Sequence, residues 1–335
     1  MQNIKFVSMK NFIALLPLFM LVSLNSFIGV ESRQGMGTQA TSPVIGVMTH
    51  PGDNGGQTYL ASSYVKWIES AGGRVVPIPY DMDDLSDVDK ILSKVNGVLF
   101  PGGHSNLNPT AQHIYSSVLQ MNKDGDYFPL WGTCLGFEWL MMSQSQNETI
   151  LANNFDSENL TLALQFESTT MRHNFDHSRI FSQMTTAERA LFTDSKDPVT
   201  MNNHGSGVMY RDFLRTPKLR DFFSVLSVNE DREKLRFVST VEAHLHPIYG
   251  VQWHPEKNPY EVKMDGDAFH EVTNHGSNAV VAAFKLAKFF VDECRKSKHS
   301  YSNAEELIGD LVYNYPVKYQ KGTSSSFMEK YLFPF

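Results

Sequence analysis

Short, wholly apolar runs recur along this chain, each followed by a stretch with helical spacing. The runs are Val44–Met48, Val75–Ile78, Gly97–Phe100 and Phe128–Trp131. Predicted helices at Tyr59–Ala71, around Val88–Lys94, at Thr110–Met121 and at Leu135–Met142 come between and after them. A strand without polar alternation has to be covered on both faces, and repeated strand–helix–strand units provide that cover. The pattern predicts an α/β protein with a mostly parallel central sheet. Leu160–Phe166 and Arg236–Thr240 read as antiparallel additions to the same sheet. Tyr249–Trp253 reads as another buried strand, and Ala279–Lys296 as a long amphipathic helix.

The ends of the chain read differently. Lys5 and Lys10 precede an uncharged, mostly apolar run from Phe12 to Val30, with Ser32 a plausible cleavage point. This is the pattern of a secretory signal peptide. The alternative, an uncleaved anchor helix, is weakened by Pro17, Ser23, Asn25 and Ser26. The expected organisation is a signal peptide at 1–32, a polar linker at 33–42, one domain at 43–320 and a tail at 321–335. The sequons at Asn147 and Asn159 agree with a secretory route, ending outside the cell or in a lysosome or vacuole. Once the signal is removed, no membrane association is expected. The net charge is −7 with no Lys/Arg cluster, which argues against a nucleic-acid partner. With only Cys134 and Cys294 present, a disulfide framework is excluded. Cys294 lies in a predicted helix and is expected too far from Cys134 to pair with it.

Trp131-Gly132-Thr133-Cys134-Leu135-Gly136-Phe137-Glu138 carries the most chemistry. A buried strand ends, one residue turns, and a helix begins. Glycines two residues either side of the cysteine give the spacing of a nucleophile elbow, with sulfur in place of the serine oxygen. The helix N-terminus should favour a thiolate, and the Leu135 N–H should face a developing oxyanion. A Gly-rich turn around a structural cysteine would show the same pattern, so the rest of the sequence has to decide.

Gly250-Val251-Gln252-Trp253-His254-Pro255-Glu256 ends a second buried strand on a histidine, with a carboxylate two residues on. Nucleophile, base and orienting acid are then all present. Phe100-Pro101-Gly102-Gly103-His104 follows a third strand at the same end of the sheet. The Gly103 amide is the expected second oxyanion donor.

These motifs, in this order, resemble the class I glutamine amidotransferase-like superfamily. Within it, PVIGVMTHP (43–51), GVLFPGG (97–103), DGDYFPLWGTCLGFE (124–138) and YGVQWHPEKNPY (249–260) are similar to the γ-glutamyl hydrolase family, peptidase family C26. The resemblance implies a flavodoxin-like three-layer α/β/α sandwich. It implies Cys134 as nucleophile, His254 as base and Glu256 as third member, with His204 near the substrate. Glu138 stands where amidotransferases usually carry glutamine. That favours a hydrolase over a synthetase-coupled glutaminase and makes Glu138 a candidate substrate contact. The implied substrates are folate polyglutamates, cleaved without metal or cofactor, and the implied assembly is a homodimer. Hydrolysis of other γ-glutamyl amides or glutamine, and an inactive secreted binding glycoprotein, are the competing readings.

Other residues are less telling. His244-x-His246 has metal-ligand spacing, but no third ligand stands at a clear interval, so no metal is expected. His173 and His177 read as surface residues. Arg172 and Arg179 are candidates for contact with an acidic substrate.

Overall fold

The structure, a computed structural model, describes residues 41–52, 57–265, 268–321 and 325–335. The expected signal peptide and most of the linker lie outside the described residues. Seven strands form the central sheet: β1 (Val44–Met48), β2 (Arg74–Ile78), β3 (Val98–Phe100), β4 (Leu130–Thr133), β5 (Phe223–Glu230), β6 (Arg236–Ala243) and β7 (Ile248–Val251). Their spatial order is β2–β1–β3–β4–β7–β6–β5. The first five in that order are parallel, and β6 runs antiparallel to both of its neighbours.

Side chains alternate across this sheet into two cores. Ile45, Val47, Leu99, Trp131, Tyr249 and Val251 face one way. There they meet helix α1 (Ser62–Ser70) through Tyr64, Trp67 and Ile68, together with Leu286 and Phe290 of the long helix Ser277–Cys294. Val44, Met48, Val98, Phe100, Leu130 and Ile248 face the other way. They are covered by α2 (Leu85–Leu92), α3 (Pro109–Lys123) and α4 (Leu135–Ser145). This is the α/β/α sandwich expected from apolar strands with no polar face.

Several elements differ from the sequence reading. Tyr59–Ala61, expected as the start of a helix Tyr59–Ala71, belongs instead to a strand Thr58–Ala61 that pairs with His50–Pro51 and with Glu329–Phe333. The strand expected at Phe128–Trp131 begins two residues later, because the Phe128 N–H and C=O are both taken by the Asn122 side chain. Arg236–Ala243 does join the main sheet, but Leu160–Leu162 pairs instead with Thr200–Asn202 in a separate ladder. A bridge from Gln165 to Val228 and the Asn229 side chain donating to the Ala163 carbonyl tie that region to the sheet edge. The segment read as a tail supplies strand Glu329–Phe333, an inner strand of a separate four-stranded sheet between Val317–Tyr319 and Thr58–Ala61, anchored by a Lys66–Glu329 ion pair of 2.5 Å. Among the described residues, no helix is long and apolar enough to cross a membrane.

In the order β2–β1–β3–β4–β7 the chain leaves β1 first to one side and then to the other. Ligands in such sheets bind beyond the carboxyl ends of the strands near that reversal. His50, Gly102 and Gly103, Cys134 and His254 all follow such ends.

Candidate active site

Cys134 occupies the single residue between β4 and α4, with φ 51° and ψ −107°. A non-glycine residue there is strained and persists only where its surroundings enforce it. Two close approaches do so. A methyl group added at Gly132 would stand 2.6 Å from the Gly136 carbonyl oxygen, and one at Gly136 would overlap the Phe100 carbonyl. The Cys134 N–H is held by the Val251 carbonyl at 2.8 Å, which joins the β4 turn to the β7 turn.

His254 is set by its own N–H, which donates to the Met201 carbonyl at 2.8 Å. Its Nδ1 lies 2.7 Å from Glu256 Oε1. A carboxylate only accepts, so Nδ1 carries the proton and Nε2 is left as the basic nitrogen. Both residues are buried. A methyl at Gly102 would lie 2.6 Å from His254 Cε1 and 3.2 Å from Cys134 Cβ, so the three turns meet at one point.

The thiol differs from the expectation drawn from its turn. Burial pushes the Cys134 thiol well up, and the nearby Glu138 and Glu256 carboxylates push it further. The Leu135 N–H and Lys257 oppose this with smaller effects. Burial and the two carboxylates thus work against the pull of the helix N-terminus on the thiol proton.

Glu138 is buried on the first turn of α4 and accepts from Gln252 Nε2 at 3.0 Å. The same nitrogen lies 3.9 Å from Cys134 Sγ. Burial raises the Glu138 carboxyl to about 7, partly offset by the Gln252 hydrogen bond. His204 donates from Nδ1 to the Ser206 carbonyl at 2.7 Å and sits edge-on to Phe155 and Phe237. Burial lowers its pKa to about 3, so it is neutral. Gln252 Oε1, Glu256 Oε2 and His204 Nε2 are buried without a hydrogen-bond partner among the described residues. Of these three residues His204 lines a cavity at Cys134, and its Nε2 is the orphan that a bound molecule could satisfy.

Two cavities open from Cys134. One, of about 360 Å³, is lined by His254, Lys257, Phe327 and Lys330. The other, of about 650 Å³, is lined by Glu138, Glu148, Glu158 and His204. Gly103, His104 and Asn203 border both.

The remaining expectations divide. Arg172 pairs with Asp176 and lies over Phe166, and Arg179 lies over Tyr249. Neither lines a cavity at Cys134, so they do not form the anion contact expected of them. His244 faces Ser224 and His246 faces Phe222. Cys294 is a free, buried thiol against Gly97, at the opposite end of the sheet from Cys134. Asn147 is exposed, whereas Asn159 is half-buried with its Oδ1 accepting the Val272 N–H. Sequence reasoning missed Tyr64, His50 and Gln252. The last two stand at strand carboxyl ends, which was a usable signal.

The peptidase C26 family pattern matches residues 43–256, spanning the first strand through Glu256. Human γ-glutamyl hydrolase is 39% identical over 315 residues, covering 91% of this chain and 93% of that protein. γ-Glutamyl hydrolase B of Dictyostelium discoideum is 37% identical over 301 residues (87% and 83%). γ-Glutamyl hydrolase 1 of Arabidopsis thaliana is 33% identical over 302 residues (87% and 82%). With a cysteine elbow and a His-Pro-Glu turn meeting at one cleft, and relatives matched along most of their length, this chain belongs to the peptidase C26 family.

Proposed function

We propose that the protein hydrolyses γ-glutamyl bonds of folate polyglutamates, with Cys134 as nucleophile. The observation that carries this reading is the Glu256–His254 pair facing a strained cysteine turn at a two-armed cleft, in a chain whose full-length relatives are γ-glutamyl hydrolases. His254 Nε2 takes the thiol proton as sulfur attacks the γ-carbonyl carbon. The oxyanion accepts from the Leu135 and Gly103 amides. As the C–N bond breaks, His254 returns the proton to the leaving amine. Water then attacks the thioester with His254 again as base, releasing the γ-carboxylate and the thiol. Glu256 holds the imidazole in the productive tautomer and stabilises its charged form.

Lys330 on the smaller cavity suits a substrate with an α-carboxylate on every glutamyl unit, whereas Lys257 is already paired with Glu271. His204 and Glu138, the latter held by Gln252, present polar groups to the larger cavity. The test compares wild-type turnover of a pteroyl-pentaglutamate with that of glutamine. Rapid cleavage of the first and slow or absent cleavage of the second is expected; the reverse order would make the protein a glutaminase.

The signal-like N-terminus supports entry into the secretory pathway, to the exterior or a lysosome or vacuole. Of the two sequons, exposed Asn147 is the better glycan acceptor. A homodimer is the assembly implied by the family resemblance.

A further inference from the structure

The Gly103 amide can serve an oxyanion only if the Gly102–Gly103 peptide is held with its N–H turned toward Cys134. A glycine pair is poorly able to hold such a plane by itself. We propose that His50 is the positioning residue that fixes this peptide. The proposal rests on the reading of the cleft as an acyl-transfer centre.

His50 follows the carboxyl end of β1, and its Nε2 lies 3.1 Å from the Gly102 carbonyl oxygen. A carbonyl only accepts, so Nε2 carries the proton and Nδ1 accepts from the Ser105 hydroxyl at 2.9 Å. In a trans peptide the C=O and the following N–H point in opposite directions. A donor on the Gly102 oxygen therefore turns the Gly103 N–H away from His50, and Gly103 borders both cavities at Cys134. A methyl at Gly103 would fall 2.5 Å from His50 Nε2, so the ring lies directly on the loop.

The preceding peptide is pinned as well. The Gly102 N–H donates to the Tyr64 hydroxyl at 2.7 Å. That hydroxyl stands 3.4 Å from His254 Nδ1 and has the Glu256 carboxylate as a further partner. Tyr64 thus fixes the loop relative to the base, while His50 fixes its orientation. The His50 ring is itself confined, edge-on to Trp139 at 5.6 Å and tilted against Tyr59 at 5.8 Å. Burial lowers its pKa to about 4, which keeps Nδ1 an acceptor at neutral pH. A hydrogen bond on the carbonyl also polarises the peptide and strengthens its N–H as a donor.

The test compares His50→Leu, which loses the donor, with His50→Gln, whose amide can still donate. Two readouts are needed: kcat and KM on a pteroyl-polyglutamate, and the rate of Cys134 alkylation by iodoacetamide, a displacement that forms no oxyanion. For His50→Leu, kcat should fall about tenfold to 10²-fold, with KM and the alkylation rate near wild type. His50→Gln should recover most of the loss. Wild-type kcat in His50→Leu, an alkylation rate falling in step with kcat, or no recovery in His50→Gln would each overturn the assignment. A wild-type enzyme that cleaves no γ-glutamyl substrate would instead overturn the functional reading.

Discussion

Cys134 sits in a backbone conformation that costs it stability, and burial and two carboxylates push its thiol up. Glu138 contributes to both its burial and its charge, which gives a test at this scale. Its carboxyl titrates near 7 in the folded protein against an ordinary 4.5. Between those values the folded state binds more protons than the unfolded one, so stability falls as pH rises. Relative to wild type, Glu138→Gln should gain stability across that window, reaching about 3 kcal/mol above pH 7. Thermal unfolding at stepped pH checks this. Glu261, also raised to about 7 by burial, is present in both proteins and cancels. Parallel curves would mean that Glu138 is solvated or ionised in the fold. Local sequence could not foretell the state of the sulfur. The turn announces a helix N-terminus and carries Glu138, but burial and the Glu256 charge come from elements far along the chain.

The β4–α4 unit works because two glycines let a strand and a helix cross without side chains between them. Gly136→Ala places a methyl against the Phe100 carbonyl and should cost well over the roughly 1–3 kcal/mol of ordinary overpacking, since backbone cannot swing aside. Gly309→Ala, in the helix Ala304–Asp310 with nothing within 4 Å, should be neutral or slightly stabilising. Denaturant midpoints for the pair check this, and equal effects would contradict it. Among the elements the sequence was most legible where strands are continuous apolar runs, as at β1, and where glycines follow or flank the strand end, as at β3 and the Cys134 turn. It was least legible at Thr58–Ala61, whose Tyr-Leu-Ala run prolongs the apolar face of α1. What makes it a strand is pairing with Glu329–Phe333, a partner too distant for any local period to show.

At the scale of the molecule, the C-terminal hairpin closes one wall of the cleft, so the family pattern at 43–256 does not contain the whole site. Ser325, Phe327 and Lys330 come from this segment, and Lys330 stands 4.1 Å over the Tyr59 ring. Lys330→Met should raise KM for a pteroyl-pentaglutamate about fivefold or more, with a smaller effect on a substrate with a single glutamyl linkage. Equal effects on both substrates would remove Lys330 from chain-length recognition. The His254 and Gly103 turns were visible as motifs, whereas this wall was not, because it is assembled by sheet pairing between the two ends of the domain. The central claim is that Cys134 cleaves γ-glutamyl bonds, and it is tested most directly by mass analysis of products from a pteroyl-pentaglutamate. Wild type should release glutamate or polyglutamate and leave shortened pteroyl species, while folded Cys134→Ala should return the substrate intact. Shortened products from Cys134→Ala, or an intact substrate after incubation with wild type, would contradict the account.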